Sequence, residues 1–200
     1  MKTISSESRQ RSGLFMLAIA SLGLIAMGCE SGGVGDPCIP EDEYNPNFAS
    51  FSSEEVNVES RSFQCETRVC LVNKFQGRVS CPYGAPVAGD GNCAIPGTDP
   101  NSTNPEDKVQ VAVAAQLVDR REDKAVYCSC RCANAQGGKD DGANYCDCPS
   151  GFSCEKLVDD VGLGGTQLAG SYCVKEGTNK VGTGATCSDT LQNCDAKYDY

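Results

Sequence analysis

Histidine and tryptophan are absent from this chain of 200 residues, and aromatic residues make up only 6% of it. Without histidine the chain lacks the commonest neutral-pH acid/base, the imidazole metal ligand, and any Ser-His or Cys-His nucleophile. Its few aromatics stand among 22 glycines and 9 prolines. Large apolar side chains are therefore scarce, and cross-links must supplement the core. Positive charge is also short, with 17 Lys and Arg against 27 Asp and Glu for a formal charge of -10. A surface this acidic repels phosphate backbones and anionic headgroups, which argues against nucleic acid as a partner and against electrostatic attachment to a membrane. No apolar run reaches the roughly 20 residues of a membrane-spanning helix. No two cysteines stand in C-x-x-C, which removes the thioredoxin-type redox motif and the paired hooks typical of zinc and iron-sulfur sites.

Cysteine is what the chain has in excess, 15 in all, and the N-terminus says which compartment they meet. "MKTISSESRQRSG" sets Lys2, Arg9 and Arg11 against Glu7 and runs into "LFMLAIASLGLIAMG", residues 14–28, which carry no charge. A basic start, a short apolar stretch and a small residue before the cut form the export pattern of a signal peptide. The closing "AMGCE" resembles the signal of bacterial lipoproteins. Gly28 and Cys29 fit that family, while Ala26 stands where it usually has Leu and Met27 where it prefers Ala or Ser. The resemblance implies that residues 1–28 are a lipoprotein signal peptide, cut before Cys29. It further implies that the Cys29 sulfur carries diacylglycerol in thioether linkage, that its amine is acylated, and that the membrane partner is reached through this anchor. Residues 29–36 then form the lipidated cysteine and a flexible Gly-rich tether. Glu30 in place of Asp leans the destination toward the outer membrane.

In an oxidising compartment closely spaced thiols become disulfides unless a metal is loaded first. With Cys29 lipidated, the other fourteen can pair completely. Cys38, Cys65, Cys70, Cys81 and Cys93 lie in the half 37–95. Cys128, Cys130, Cys132, Cys146, Cys148, Cys154, Cys173, Cys187 and Cys194 lie in the half 108–200. Between the halves, "PGTDPNSTNPED" at 96–107 reads as a linker. Both counts are odd, so complete pairing within the chain requires at least one bridge between the halves. In "YCSCRC" the alternation puts Cys128, Cys130 and Cys132 on one face of an extended strand, unable to bond one another. Cys146, Cys148 and Cys154 form a second row, with Tyr127 and Tyr145 beside the two.

"CDCPSGFSC" resembles the closing turn of an epidermal-growth-factor-like module, with Pro149 to Gly151 bending the chain, and neither calcium nor receptor binding is carried over. Taken with "AVYCSCRCANA", "YCDCPSGFSCEKLV" and "LAGSYCVKEGT", about the last hundred residues resemble cysteine-rich predicted lipoproteins of myxobacteria. That resemblance implies an outer-membrane or surface setting and brings no reaction with it.

Strand signals are short: "EEVNV", "RVCLVNKFQGRVSC" turning at Gln76-Gly77, "KAVYCSCRC" and "GTQLAGSYCVKEG". "KVQVAVAAQLV" reads as either helix or strand, and the alternation of Val109, Val111 and Val113 favours a strand that hairpins with 125–132 across "DRREDK". "EKLVDDVGLGG" has room for one helical turn. The expected fold class is small, disulfide-rich and mainly β, with extensive irregular loops and little helix.

Catalytic signals are poor. Glu41-Asp42-Glu43, Glu54-Glu55, Asp140-Asp141 and Asp159-Asp160 read as solvated loops. Calcium is the alternative, best placed at "GGKDDGAN" (137–144), which lacks the spacing of an EF-hand loop. "GLGG" at 162–165 is a turn, not a phosphate loop. No cofactor, metal ligand set or catalytic residue is assigned. The expectation is a non-catalytic, lipid-anchored envelope or surface protein making protein or glycan contacts. An envelope hydrolase, or a protein binding calcium or a thiolate metal, is the alternative.

Overall fold

The computed structural model describes residues 32–89, 93–160, 162 and 167–194. The described residues form one compact unit. The signal peptide 1–28, Cys29 and Glu30 lie outside the described residues, as does most of the 162–165 turn. Among the described residues no helix is long and apolar enough to cross a membrane. The fold is small, β-rich and disulfide-rich with almost no helix.

Among the described residues six short strands make two antiparallel sheets. The first sheet orders β1 (Val56–Glu59), β2 (Val69–Asn73) and β3 (Val126–Ser129), with β2 in the centre. The second orders β4 (Arg131–Ala133), β6 (Gly170–Lys175) and β5 (Phe152–Val158), with β6 in the centre. The central strands β2 and β6 bury almost every position, and so does β3, which carries the chain from the first sheet to the second. The flanking strands β1 and β5 are only partly covered and carry Asn, Glu and Lys, as half-covered strands do.

The cysteine-rich "YCSCRC" passes from one sheet to the other, because β3 and β4 are separated only by Cys130. The Cys130 carbonyl accepts the amide of Cys173 in β6 at 3.0 Å. Tyr127 joins the sheets further: its hydroxyl accepts the Lys175 amide at 3.0 Å, and its ring meets Phe152 edge-on at 5.7 Å. Leu71 and Val174 fill the space beside it. The expected turn after Cys148 is present, with the Phe152 amide bonded to the Pro149 carbonyl and Gly151 at a φ of 85°.

Seven disulfides, with Cα–Cα distances from 5.3 to 6.2 Å, take the place of a large apolar core. Buried polar networks take up what remains. Arg78, fully buried, donates to the carbonyls of Glu43, Asn45 and Phe48. The Glu43 carboxylate beside it accepts the Val79 and Ser80 amides and the Ser80 hydroxyl. Arg120 likewise donates to the carbonyls of Asn73 and Lys124. Each cation saturates carbonyls that irregular backbone would otherwise leave unpaired, which is how so much loop can be buried.

Two sequence expectations are corrected. The segment 108–118 forms no hairpin with 125–132, since β3 pairs instead with β2, Cys128 standing directly across from Cys70. Its hydrogen bonds go elsewhere: Val113 exchanges both with Ala85, Val109 donates to Cys93, and Gln116 donates to Pro82. The chain at 113–115 passes so close to Gly84 that a Cβ there would lie 2.6 Å from backbone atoms. "DRREDK" is accordingly no hairpin tip but a 3-10 turn, Val118–Arg120, followed by the single-turn helix α1 (Glu122–Ala125). Of "EKLVDDVGLGG", given room for one helical turn, Glu155 to Val158 instead continue β5 against β6, and 161 and 163–165 lie outside the described residues.

Segment 96–107 is a closed loop. The Ile95 amide bonds the Asp107 carbonyl at 2.9 Å, and Ala94 bridges Lys108, so the ends meet. Asn104 caps a short 3-10 turn, Pro105–Asp107.

Candidate functional site: a groove beside a disulfide-pinned loop

The alternating cysteines each find a partner in another segment. Cys128 bonds Cys65, Cys130 bonds Cys146, and Cys132 bonds Cys154. The remaining bridges are Cys38–Cys70, Cys81–Cys93, Cys148–Cys173 and Cys187–Cys194. Cys65–Cys128 joins the segments before and after the 96–107 loop. Among the described residues, the groups of three potential metal-ligand atoms within 4.8 Å of one another are Cys38/Cys65/Cys128, Cys130/Cys146/Cys173 and Cys132/Cys148/Cys173. All are disulfide sulfurs, which carry no thiolate charge to offer a metal.

The acidic runs serve local structure. Glu43 is buried in the Arg78 network. Glu55 accepts the Ser52 amide, Asp141 accepts the Ala143 amide and the Tyr145 hydroxyl, and Asp159 pairs with Lys156.

A concavity lies beside the first sheet. It is a groove of about 510 Å³, within the range of roughly 300–1,000 Å³ usual for ligand sites. One wall is the segment entering the short 3-10 helix Glu41–Tyr44, contributing Ile39, Glu41 and Tyr44. The other is the chain leaving β1 at Glu59 and looping through Arg61, Ser62, Phe63 and Gln64 to Arg68.

This loop is tied down along its length. Cys65 bonds Cys128, the Gln64 carbonyl accepts the Gly32 amide at 2.7 Å, and the Glu66 amide donates to the Gly32 carbonyl at 2.9 Å. The Gln64 side chain clasps both backbone groups of Ile39, at 3.0 and 2.8 Å, which locks the two walls together. The Arg68 amide bonds the Cys65 carbonyl and the Ser62 amide the Arg68 carbonyl, closing the turn. Arg68 takes a φ of 66° there, the left-handed region that residues other than glycine avoid.

The lining is aromatic and charged together. Phe63 is 81% exposed and Tyr44 47%. The Arg68 guanidinium lies over the Phe63 ring, 4.2 Å from its centroid. Glu59 accepts the Glu41 amide at 3.0 Å. Burial nonetheless pushes the Glu59 carboxyl above its ordinary range, aided by the charges of Glu41 and Asp42. Tyr44 is raised as well, by burial and then by Glu43 and Glu59.

Sequence reasoning missed this groove. Its signal lies in "ESRSFQCETR", where a single phenylalanine stands in an otherwise polar run with no alternation to bury it. No protein-family model, curated protein or solved structure matches the chain.

Proposed function

We propose that the chain is a lipid-anchored protein of the bacterial envelope. It is held in the outer membrane through Cys29 and presents its disulfide-tied domain for non-catalytic contacts with a protein or glycan partner. Seven disulfides accord with an oxidising, extracytoplasmic environment. The observation that carries the reading is the exposed Phe63 platform, on a loop fixed by a disulfide and by backbone bonds, and the most exposed ring among the described residues. A rigid aromatic presented to solvent at the edge of a groove is a contact surface.

Fractionation tests the anchoring. Wild-type protein is expected in the outer-membrane fraction and Cys29→Ser protein in the soluble exported fraction. A Cys29→Ser protein that is processed normally and stays membrane-bound would contradict the reading.

One observation favours a second reading, an envelope hydrolase. The Glu59 carboxyl is raised and shares the groove with Glu41, and glycoside hydrolysis runs on two such carboxylates with one kept protonated.

A further inference from the structure

We infer that the groove binds an uncharged saccharide whose ring lies on the open face of Phe63. The inference rests on reading the domain as a contact module and names its ligand class. Arg68 covers one face of the Phe63 ring and leaves the other to solvent. It does so from a left-handed backbone position where glycine would be less strained. The guanidinium and the turn together hold the ring as a fixed plate, so little conformational freedom is lost when a ligand stacks on it.

Around the plate stand groups suited to hydroxyls. Arg61, Glu41 and Glu59 line the groove, each offering paired hydrogen-bonding atoms in one plane. Ser62 also lines it and is only 2% exposed.

Charge narrows the class. The formal charges of Arg61 and Arg68 balance those of Glu41 and Glu59, in a chain whose total is -10. An anion would meet the two carboxylates and a cation the two guanidinium groups. A ligand with an apolar ring face and a rim of hydroxyls, as a pyranose has, meets neither penalty.

Backbone accounting disfavours a peptide strand. Such a ligand needs a run of free N–H and C=O groups along one edge. On these walls both groups of Ile39 are taken by Gln64, the Glu41 amide by Glu59, the Ser62 amide by Arg68 and the Gln64 carbonyl by Gly32.

Titration calorimetry and ring-resonance NMR on the exported, non-reduced protein test this. The probes are cellohexaose, maltohexaose and chitohexaose, with hexagalacturonate and a neutral hexapeptide for comparison. At least one neutral oligosaccharide is expected to bind, to shift the Phe63 resonances and to be recovered uncleaved. Phe63→Ala is expected to weaken it by about tenfold or more. Arg68→Gly removes the guanidinium and relieves the backbone, so it should weaken binding while thermal stability holds or rises. The inference is overturned if none of the three neutral probes binds. It is equally overturned if the uronide or the peptide binds as tightly as the best of them, or if Phe63→Ala changes affinity by less than about twofold. Cleavage of a bound probe would leave the saccharide assignment standing and overturn the non-catalytic reading instead.

Discussion

Replacing Cys65 and Cys128 together by alanine removes the bridge that ties the segments on either side of the 96–107 loop. The sequence separation is 63, but Cys81–Cys93 already short-circuits 12 of those residues. Cross-linking a loop of the remaining length restricts the unfolded chain by about 4 kcal/mol in the chain-entropy description. Both sulfurs are buried, 1% and 0% exposed at the residue level, so no solvation gain offsets the loss. Against a typical domain stability of about 5–15 kcal/mol this is a large fraction. For a domain of this size it corresponds to a fall in Tm of about 8–16 °C. Circular dichroism of exported wild-type and doubly substituted protein, melted without reductant, measures it. A fall under about 4 °C would refute the argument, because non-covalent contacts alone would then be holding the segments together.

Arg78→Met leaves the carbonyls of Glu43, Asn45 and Phe48 without their buried donor and the Glu43 carboxylate without its ion-pair partner. It is expected to cost about 3–5 kcal/mol in urea unfolding; a loss under about 1 kcal/mol, that of an ordinary substitution, would contradict the role given to this network. Asp119 accepts the Thr183 and Gly184 amides, and these bonds hold its carboxyl below the ordinary value of 3.8. A depressed folded-state pKa stabilises above the ordinary value and is lost as pH falls through the folded one. Acid should therefore deprotect those two amides in hydrogen exchange, corrected for intrinsic rates, and Asp119→Asn should abolish the pH dependence; unchanged protection in acid would show that the carboxylate holds nothing. The Cys173 sulfur lies 3.5 Å from that of Cys130 and 3.6 Å from that of Cys146 while bonded to Cys148. A thiol attacking the partly exposed Cys148 frees the Cys173 thiolate beside a second bridge. Limited glutathione treatment, quenched and mapped by peptide mass, should thus yield Cys130–Cys173 or Cys146–Cys173 before any other non-native pair; scrambling elsewhere first would contradict it.

The β-rich, disulfide-dominated class was legible because composition left no other way to stabilise the chain: many cysteines, few aromatics, no tryptophan. Alternation in "YCSCRC" correctly kept Cys128, Cys130 and Cys132 from one another. It did not reveal that the strand breaks at Cys130 and changes sheets, which depends on Tyr127 and Ser129 bonding across to β6. The partner of β3 was misread because neighbouring strands in sequence usually pair. Here backbone bonds to Cys93, Ala85 and Pro82 and the buried side chain of Arg120 hold 108–121 against other segments instead. The groove was not legible at all. It arises where two irregular segments are clasped by the Gln64 amide, and no periodicity announces a side-chain clasp or a left-handed arginine.

The most direct test of an anchored, fully cross-linked domain is the intact mass of the exported protein, taken without reductant. The account predicts the mass of residues 29–200 with a diacylglyceryl thioether and an N-acyl group on Cys29, less fourteen hydrogens for seven bridges, unchanged by alkylating reagent. An unmodified chain starting at Cys29, or a mass that rises with alkylation before any reduction, would contradict it.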